Sequence, residues 1–441
     1  MYDRLTDWLR DHVILASLLV FFCSAFVRVG LAWRMDSGEL VRMYADAGTY
    51  IVPANSLLQQ GSFTDRYGLP DVFRTPGYPA FLAALLFVTN GSLRIALIAQ
   101  AAILSFTVLF LYLFARKILP SATAFTGAMI ASLSPWGAVH AGVPMTEGLY
   151  LLILSMMFFL LKIIEESSSK LTAFSCAAFV GVLSGWAVLV RPVAFLIVVI
   201  AGTFLFLNGA LRKRLVAMTI MLAFAATPIV FWIHRNATEA RYVGLSTVSW
   251  ATAWHFLAQR VRAKVDGESH YAYSTSARKE TLNLRRNPNA YETATRRRAM
   301  AVFRDHPFWT AYCFIVSAAE HMLHPGPRVL EATRLEFPGS FWMLASLWGT
   351  MLILAGLGFG QVLGREGNDA GLDRVWLFIL FGVCALLTLP SGVSFGTGTL
   401  SRLRAPMELI VPLLVALGLV QLTKWIPARS RGSHSAGPLH F

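Results

Sequence analysis

The chain has 441 residues, 56% of them hydrophobic and only 14% charged, with a mean hydropathy of +0.58 and a net charge of +14. A soluble protein of this size needs far more charge to cover its surface, so the water-soluble classes are excluded. The basic excess fits lysine and arginine in short loops and at anionic headgroups. It equally fits a site for a phosphate-bearing substrate, because the guanidinium fork matches phosphate geometry. No soluble basic domain exists to carry nucleic-acid binding.

The first apolar run, Val13 to Trp33, is long enough to cross a hydrocarbon core and is interrupted only by Arg28. No small-x-small cleavage site follows it, so it reads as an uncleaved span. Further spans are expected at about 94–115, 120–139, 148–164, 171–190, 193–210, 214–233, 340–362, 373–390 and 405–424. With about ten spans, Arg116 and Lys117, Lys162 and Lys170, Arg212 to Arg214, Arg365 with Arg374, and the tail residues Lys424, Arg429 and Arg431 all fall on one side. By the positive-inside bias that side is the cytoplasm. Residues 1–424 form one transmembrane domain and 425–441 a basic tail. Two apolar stretches, Pro76 to Thr89 and Pro307 to Leu323, are short for a crossing and read as juxtamembrane or re-entrant helices.

The opposite face then owns two long loops, 34–93 and 234–339, whose content is richer than that of linkers. In the first, Asp46 lies between Tyr44 and Tyr50 at the start of an amphipathic helix that runs to Gly61. A carboxylate complementing the helix dipole is the plainer account of it. Arg74-Thr75-Pro76-Gly77-Tyr78-Pro79 follows. The prolines stiffen the approach to a short helix, Gly77 permits close backbone approach, and Arg74 adds to the helix-terminal amides as an anion site. Simple snorkelling of Arg74 is the rival account.

Thr146-Glu147 sits in the turn between the third and fourth spans, shaped by Pro135, Trp136, His140 and Pro144. Two acids on one membrane face, Asp46 and Glu147, are the usual frame for activating a hydroxyl. Arginines stand at the same span ends: Arg191 before Pro192, Arg235 before Asn236, and Arg402 with Arg404 before Pro406. Ionisable groups at membrane depth are costly and usually face a cavity, so these suggest a phosphate site; pairing of Arg404 with Glu408 one turn on is the alternative. Glu320, His321 and His324 make only a weak metal pattern. The four cysteines, Cys23, Cys176, Cys313 and Cys384, lie in apolar stretches and read as small buried hydrophobes. There is no Walker motif, no dinucleotide fingerprint and no serine-hydrolase elbow.

These pieces in this order resemble the GT-C superfamily of membrane glycosyltransferases, and within it the phospholipid-carrier-dependent enzymes related to aminoarabinose transferases and protein O-mannosyltransferases. The resemblance rests on Asp46, Tyr50 and Gly61, the run from Arg74 through Tyr78 to Pro79, Thr146-Glu147, Arg191-Pro192, Arg235-Asn236, and Arg404 with Pro406. It implies an all-α GT-C bundle with Asp46 as the first-loop catalytic acid, Glu147 as a second acidic position, and Arg74 holding a lipid phosphate, with Tyr50, Tyr78, Arg191, Arg235, Asn236 and Arg404 on substrate. It further implies an inverting transferase taking sugar from a polyprenyl-phosphate donor to a hydroxyl of lipid A, a cell-envelope glycan or a protein, at the periplasmic face of a bacterial inner membrane. The chain departs from the family in ending soon after its last span and in having one acid at Asp46 where metal-dependent relatives have two, so no metal cofactor is expected. An O-antigen polymerase or ligase, a lipid-linked sugar transporter or flippase, and a non-catalytic assembly subunit are the competing readings. A transporter would show inverted repeats and broken helices at mid-membrane, which the sequence lacks.

Overall fold

The computed structural model describes residues 2–44, 46–207, 211–326, 328–364, 372–394 and 402–431. Among the described residues the regular structure is helical, and one isolated bridge pairs Thr64 with Pro70 in the first long loop. Among the described residues seven helices are long and apolar enough to cross a membrane: Val13–Arg34, Leu93–Ala115, Thr146–Glu166, Lys170–Val190, Lys213–Glu239, Ser340–Leu363 and Arg374–Val393. Shorter apolar helices at Ser121–Leu133, Pro192–Leu207 and Val411–Thr423 fall on the three remaining expected spans. The protein is a multi-pass membrane protein. Arg365 and the tail beyond Arg431 lie outside the described residues.

One expected span is broken. The run 120–139 splits at Ser134 into Ser121–Leu133 and Pro135–Gly142. Pro135 disfavours the helical conformation for the residue before it, and Ser134 is extended there. Its hydroxyl caps the second helix by accepting from the Gly137 amide at 3.2 Å. A helix at Tyr2–Asp11, polar on one face, precedes the first span, and apolar run length alone does not locate it.

The bundle has a distinct centre. Thr146–Glu166 has 78% of its apolar window buried inside the protein, against 22% for Val13–Arg34 and for Lys213–Glu239, whose remaining faces are left for lipid. Close crossings rely on small residues, as is usual where lipid offers no hydrophobic drive between helices. Where Ser340–Leu363 meets Val411–Arg431, a Cβ on Gly358 would strike the Leu414 carbonyl and one on Gly418 the Leu354 carbonyl.

The two ends of the bundle differ in chemistry. At one end Lys162 pairs with Asp373 at 2.9 Å and with Glu165 at 2.7 Å, Lys117 pairs with Glu166, and Lys213 donates to the Ser167 carbonyl at 2.9 Å. These are the basic loops expected to share a side. Both long loops are at the other end. The Gly77–Val88 helix does not cross: it begins against Leu189 and Val190, and soon after its close Arg94 donates to the Trp33 carbonyl at 3.3 Å, at the same end. The Pro307–Leu323 helix lies there too, with the Phe314 backbone against Gly392 and the His321 ring on the Ser394 carbonyl at 2.9 Å.

Candidate active site

Asp46 leads into the Gly48–Gln60 helix, and its carbonyl accepts from the Thr49 amide at 2.9 Å and the Thr49 hydroxyl at 2.6 Å. Its carboxylate does not cap that helix. Oδ1 lies 2.9 Å from Arg74 Nη2 and Oδ2 3.0 Å from Arg402 Nη2. The dipole account of Asp46 therefore gives way to an ion-pair account.

Arg74 is equally determined. Its Nε donates to Thr49 Oγ1 at 2.9 Å, and its guanidinium lies over the Tyr50 ring at 4.6 Å and the Phe73 ring at 5.0 Å, so it does not snorkel. Behind it, Gly77 sits so near the end of the Lys170–Val190 helix that an added Cβ would be 2.5 Å from the Leu189 carbonyl carbon. Backbone cannot give way as a side chain can, and only glycine lets this helix start beside Arg191. Tyr78 packs edge-on against Tyr50 at 5.4 Å and donates to Gln100 Oε1 at 2.8 Å. The Gln100 amide in turn donates to the carbonyls of Ala141 and Val143, both at 2.8 Å. Tyr78 is thus a buried brace, tying the first loop to the turn that carries Glu147.

Glu147 opens the central helix Thr146–Glu166. Its Oε1 is 3.1 Å from Arg191 Nη1 and 2.9 Å from Arg402 Nε. Arg402 is therefore the hub, with Nη2 on Asp46 and Nε on Glu147. Five segments far apart in sequence meet here, and three guanidiniums face two carboxylates, leaving a net charge of +1. The acids differ in access: the Asp46 side chain is 40% exposed and that of Glu147 1%. Burial alone would raise the Asp46 carboxyl, but the guanidiniums of Arg74 and Arg402 hold it well below the usual carboxylate range.

Three expected site residues lie elsewhere. Arg404 is fully buried over the Trp348 ring at 3.6 Å, with Trp136 at 5.4 Å, and donates to the His324 carbonyl. Glu408 beside it accepts from the Ser134 hydroxyl at 2.9 Å. Arg235 donates to the carbonyls of Asp71 at 2.9 Å and Phe63 at 2.5 Å and pairs with Glu239 at 2.8 Å, while Asn236 donates to the Gly244 carbonyl at 2.8 Å. Arg235 staples the first loop to the second, and Asn236 holds the second loop to itself. Glu320 is taken by Arg260 through two bonds of 2.7 Å, and the His324 Nδ1 accepts from the Gly326 amide at 3.1 Å. Among the described residues no three His, Cys, Asp or Glu side chains gather as a metal site, and all four cysteines are free.

Residues 74–233 match the family model described as dolichyl-phosphate-mannose-protein mannosyltransferase, a stretch that holds Arg74, Glu147 and Arg191. In fold, the chain is similar to the oligosaccharyltransferase AglB of Archaeoglobus fulgidus, seen in complex with an inhibitory peptide and a dolichol-phosphate. The TM-score is 0.52 at 11% identity, over 98% of this chain and 53% of that one. A second structure of the Archaeoglobus fulgidus enzyme, tethered to an acceptor peptide, gives a TM-score of 0.53 at 12% identity over 98% and 52%. The chain has the fold of these oligosaccharyltransferases. It spans about half the length of those oligosaccharyltransferase chains. ArnT from Cupriavidus metallidurans is matched at 14% identity over 99% of this chain and 82% of that one, with a TM-score of 0.39. No curated protein matches by sequence. The fold of these oligosaccharyltransferases and the match of residues 74–233 to the mannosyltransferase family model fall on the same chain, and Arg74, Glu147 and Arg191 lie within the matched stretch.

Proposed function

We propose that this GT-C protein transfers a sugar from a polyprenyl-phosphate donor to an acceptor hydroxyl with inversion, Asp46 acting as the base. The observation that carries the reading is the convergence of Asp46 and Glu147 on Arg74, Arg191 and Arg402 at one end of the bundle. The donor phosphodiester carries one negative charge, which the site's net +1 balances. The acceptor oxygen attacks the anomeric carbon and its proton passes to Asp46. The carbon–oxygen bond to phosphate breaks, and the phosphate leaves with the electron pair and a second negative charge. Fixed guanidiniums meet that charge where it develops. A phosphate is a good leaving group and needs no general acid, so one base suffices where hydrolases use two carboxylates. No metal is needed in this reading.

Exposure divides the acids. Asp46 is open to an acceptor, whereas buried Glu147 orients Arg191 and Arg402. As the free protein holds it, Asp46 is a weak base, because a carboxylate between two guanidiniums has little affinity for a proton. An arriving phosphate competes for Arg74 and frees Asp46, so chemistry waits for donor.

Arg74 tests the donor half. Arg74→Gln is expected to weaken donor binding by roughly 1.5–3 kcal/mol, the worth of a bond to a charged group. Arg74→Lys is expected to rescue part of it, since a point charge replaces a fork. Titration of the purified variants with a polyprenyl-phosphate-linked sugar checks this, and equal affinity in all three would move the phosphate to Arg191.

The same reading places the site at the outer face of a bacterial inner membrane, supported by the basic loops gathered at the other end. Tyr67 and Val243 are 62% and 80% exposed, one in each long loop. Tyr67→Cys and Val243→Cys are expected to react with an impermeant thiol reagent in intact cells. Protection of both until lysis would reverse the orientation, and protection of one alone would mean that one of the two short apolar helices crosses the membrane.

A further inference from the structure

Beside the acid cluster lies a cavity of about 830 Å³, enclosed between the first long loop and residues 239–291 of the second. That volume is in the upper part of the roughly 300–1,000 Å³ range of small-molecule sites. Its wall includes Thr49, the residue that accepts from Arg74 Nε and donates to the Asp46 carbonyl, so the cavity and the acids share one partition. Phe73 is a second shared element. Arg74 lies over its ring at 5.0 Å on the acid side, and Arg285 lies over it at 4.5 Å on the cavity side.

The charges on the wall are unequal. Asp65 is used by the amides of Tyr67 at 2.8 Å and Leu69 at 3.0 Å, Asp71 by the Phe73 amide at 2.7 Å, and Glu239 by Arg235. Each wall acid thus serves its own loop. Arg66, Arg241, Arg285 and Arg286 also line the cavity, and no acid pairs with any of them among the described residues. Arg66 is placed over the Tyr67 ring at 4.8 Å and Arg285 5.7 Å from the Tyr291 ring.

Resting on the transferase reading above, we propose that this cavity is the acceptor site and that the acceptor is an anionic glycan, a sugar chain bearing phosphate or carboxylate. Arginines with no acid of their own supply the counter-charge, and the exposed ring of Tyr67 supplies a face for a sugar ring. A peptide bound by strand addition would ask for a free strand edge, which a wall of helices, turns and the isolated bridge residue Pro70 does not offer. The volume takes more than a single free anion, and the shared Thr49 wall brings an occupant's hydroxyl to Asp46.

The test uses the purified full chain in detergent at low salt, with tetragalacturonate as the anionic glycan, maltotetraose as its neutral counterpart and tetraglutamate as an anionic peptide. Tetragalacturonate is expected to bind at least about tenfold tighter than either of the others. The Arg285→Gln/Arg286→Gln double variant, and Arg241→Gln from the start of the same loop, are each expected to remove most of that preference, while binding of a polyprenyl-phosphate-linked sugar stays unchanged and reports an intact fold. Equal binding of maltotetraose, equal binding of tetraglutamate, or indifference to both variants would overturn the proposal. Loss of tetragalacturonate binding alone would sink only the acceptor assignment. A wild-type chain that fails to bind the polyprenyl-phosphate-linked sugar would instead sink the donor reading on which it rests.

Discussion

Asp46→Asn is expected to lower turnover by a factor on the order of 10² to 10⁴, the range for loss of a general base, while leaving donor affinity intact or slightly raised. Asn keeps the shape of the side chain but releases Arg74 and Arg402, which pair with Asp46 at 2.9 and 3.0 Å, for the donor phosphate. A residue that merely shaped the site would lose affinity along with rate. The pH profile separates the cases further. A base must be unprotonated, so the rate falls as pH drops through its pKa. In the free protein the two guanidiniums keep Asp46 ionised far below the usual carboxylate range, so kcat/KM is expected to show no acid limb from this group. In the donor complex the phosphate draws Arg74 away, the carboxyl moves back toward the ordinary value of about 3.9, and an acid limb appears in kcat. Release of polyprenyl phosphate from a purified sugar donor, followed across pH, reads all three quantities. Near-wild-type turnover in the variant would remove Asp46 as the base.

The helical bundle was legible because a hydrocarbon core demands long apolar runs, and such runs stand out in the chain. The break at Ser134 was harder to place: Pro135 stands in a run that is apolar on both sides, and only the Ser134 hydroxyl on the Gly137 amide shows where the helix restarts. Asp46, Arg74, Glu147 and Arg191 were legible as a set because each stands at a span end on one face, and charges at that depth seek one another. Arg402 and Arg404 show where such reasoning stops. They are two residues apart in an irregular turn before Pro406, so one faces Asp46 and Glu147 while the other is buried on Trp348. Nothing in the local pattern says which is which. Arg235 and Asn236 misled for a different reason. Their helix runs on to Glu239, past the expected end at 233, and carries them away from the acids into hydrogen bonds with loop carbonyls. The cavity beside the acids depends on residues 48–73 meeting residues 239–291, a contact that no single stretch of sequence encodes.

Arg402 is where fold and chemistry are joined, and its removal is expected to cost both. Glu147 is 1% exposed and is held by Arg191 and Arg402 at 3.1 and 2.9 Å. Stripping one partner from a buried pair leaves charge uncompensated, at a cost of about 3–5 kcal/mol. Arg402→Gln is therefore expected to lower the thermal midpoint of the purified protein clearly and to reduce turnover, because the site's net charge falls from +1 to zero and its pull on a phosphate goes with it. Arg402→Lys is expected to recover little of either. One ammonium cannot reproduce a fork whose Nη2 reaches Asp46 while its Nε reaches Glu147. The double variant Glu147→Gln/Arg402→Gln decides whether stability and catalysis share a cause. With the buried acid also neutral, the uncompensated charge is gone and most of the thermal midpoint is expected to return. Turnover is expected to stay low, because Asp46 and the donor phosphate still lack the guanidinium that linked them to the central helix. A single Arg402→Gln variant with wild-type midpoint and turnover would show that Arg74 and Arg191 alone organise the two acids.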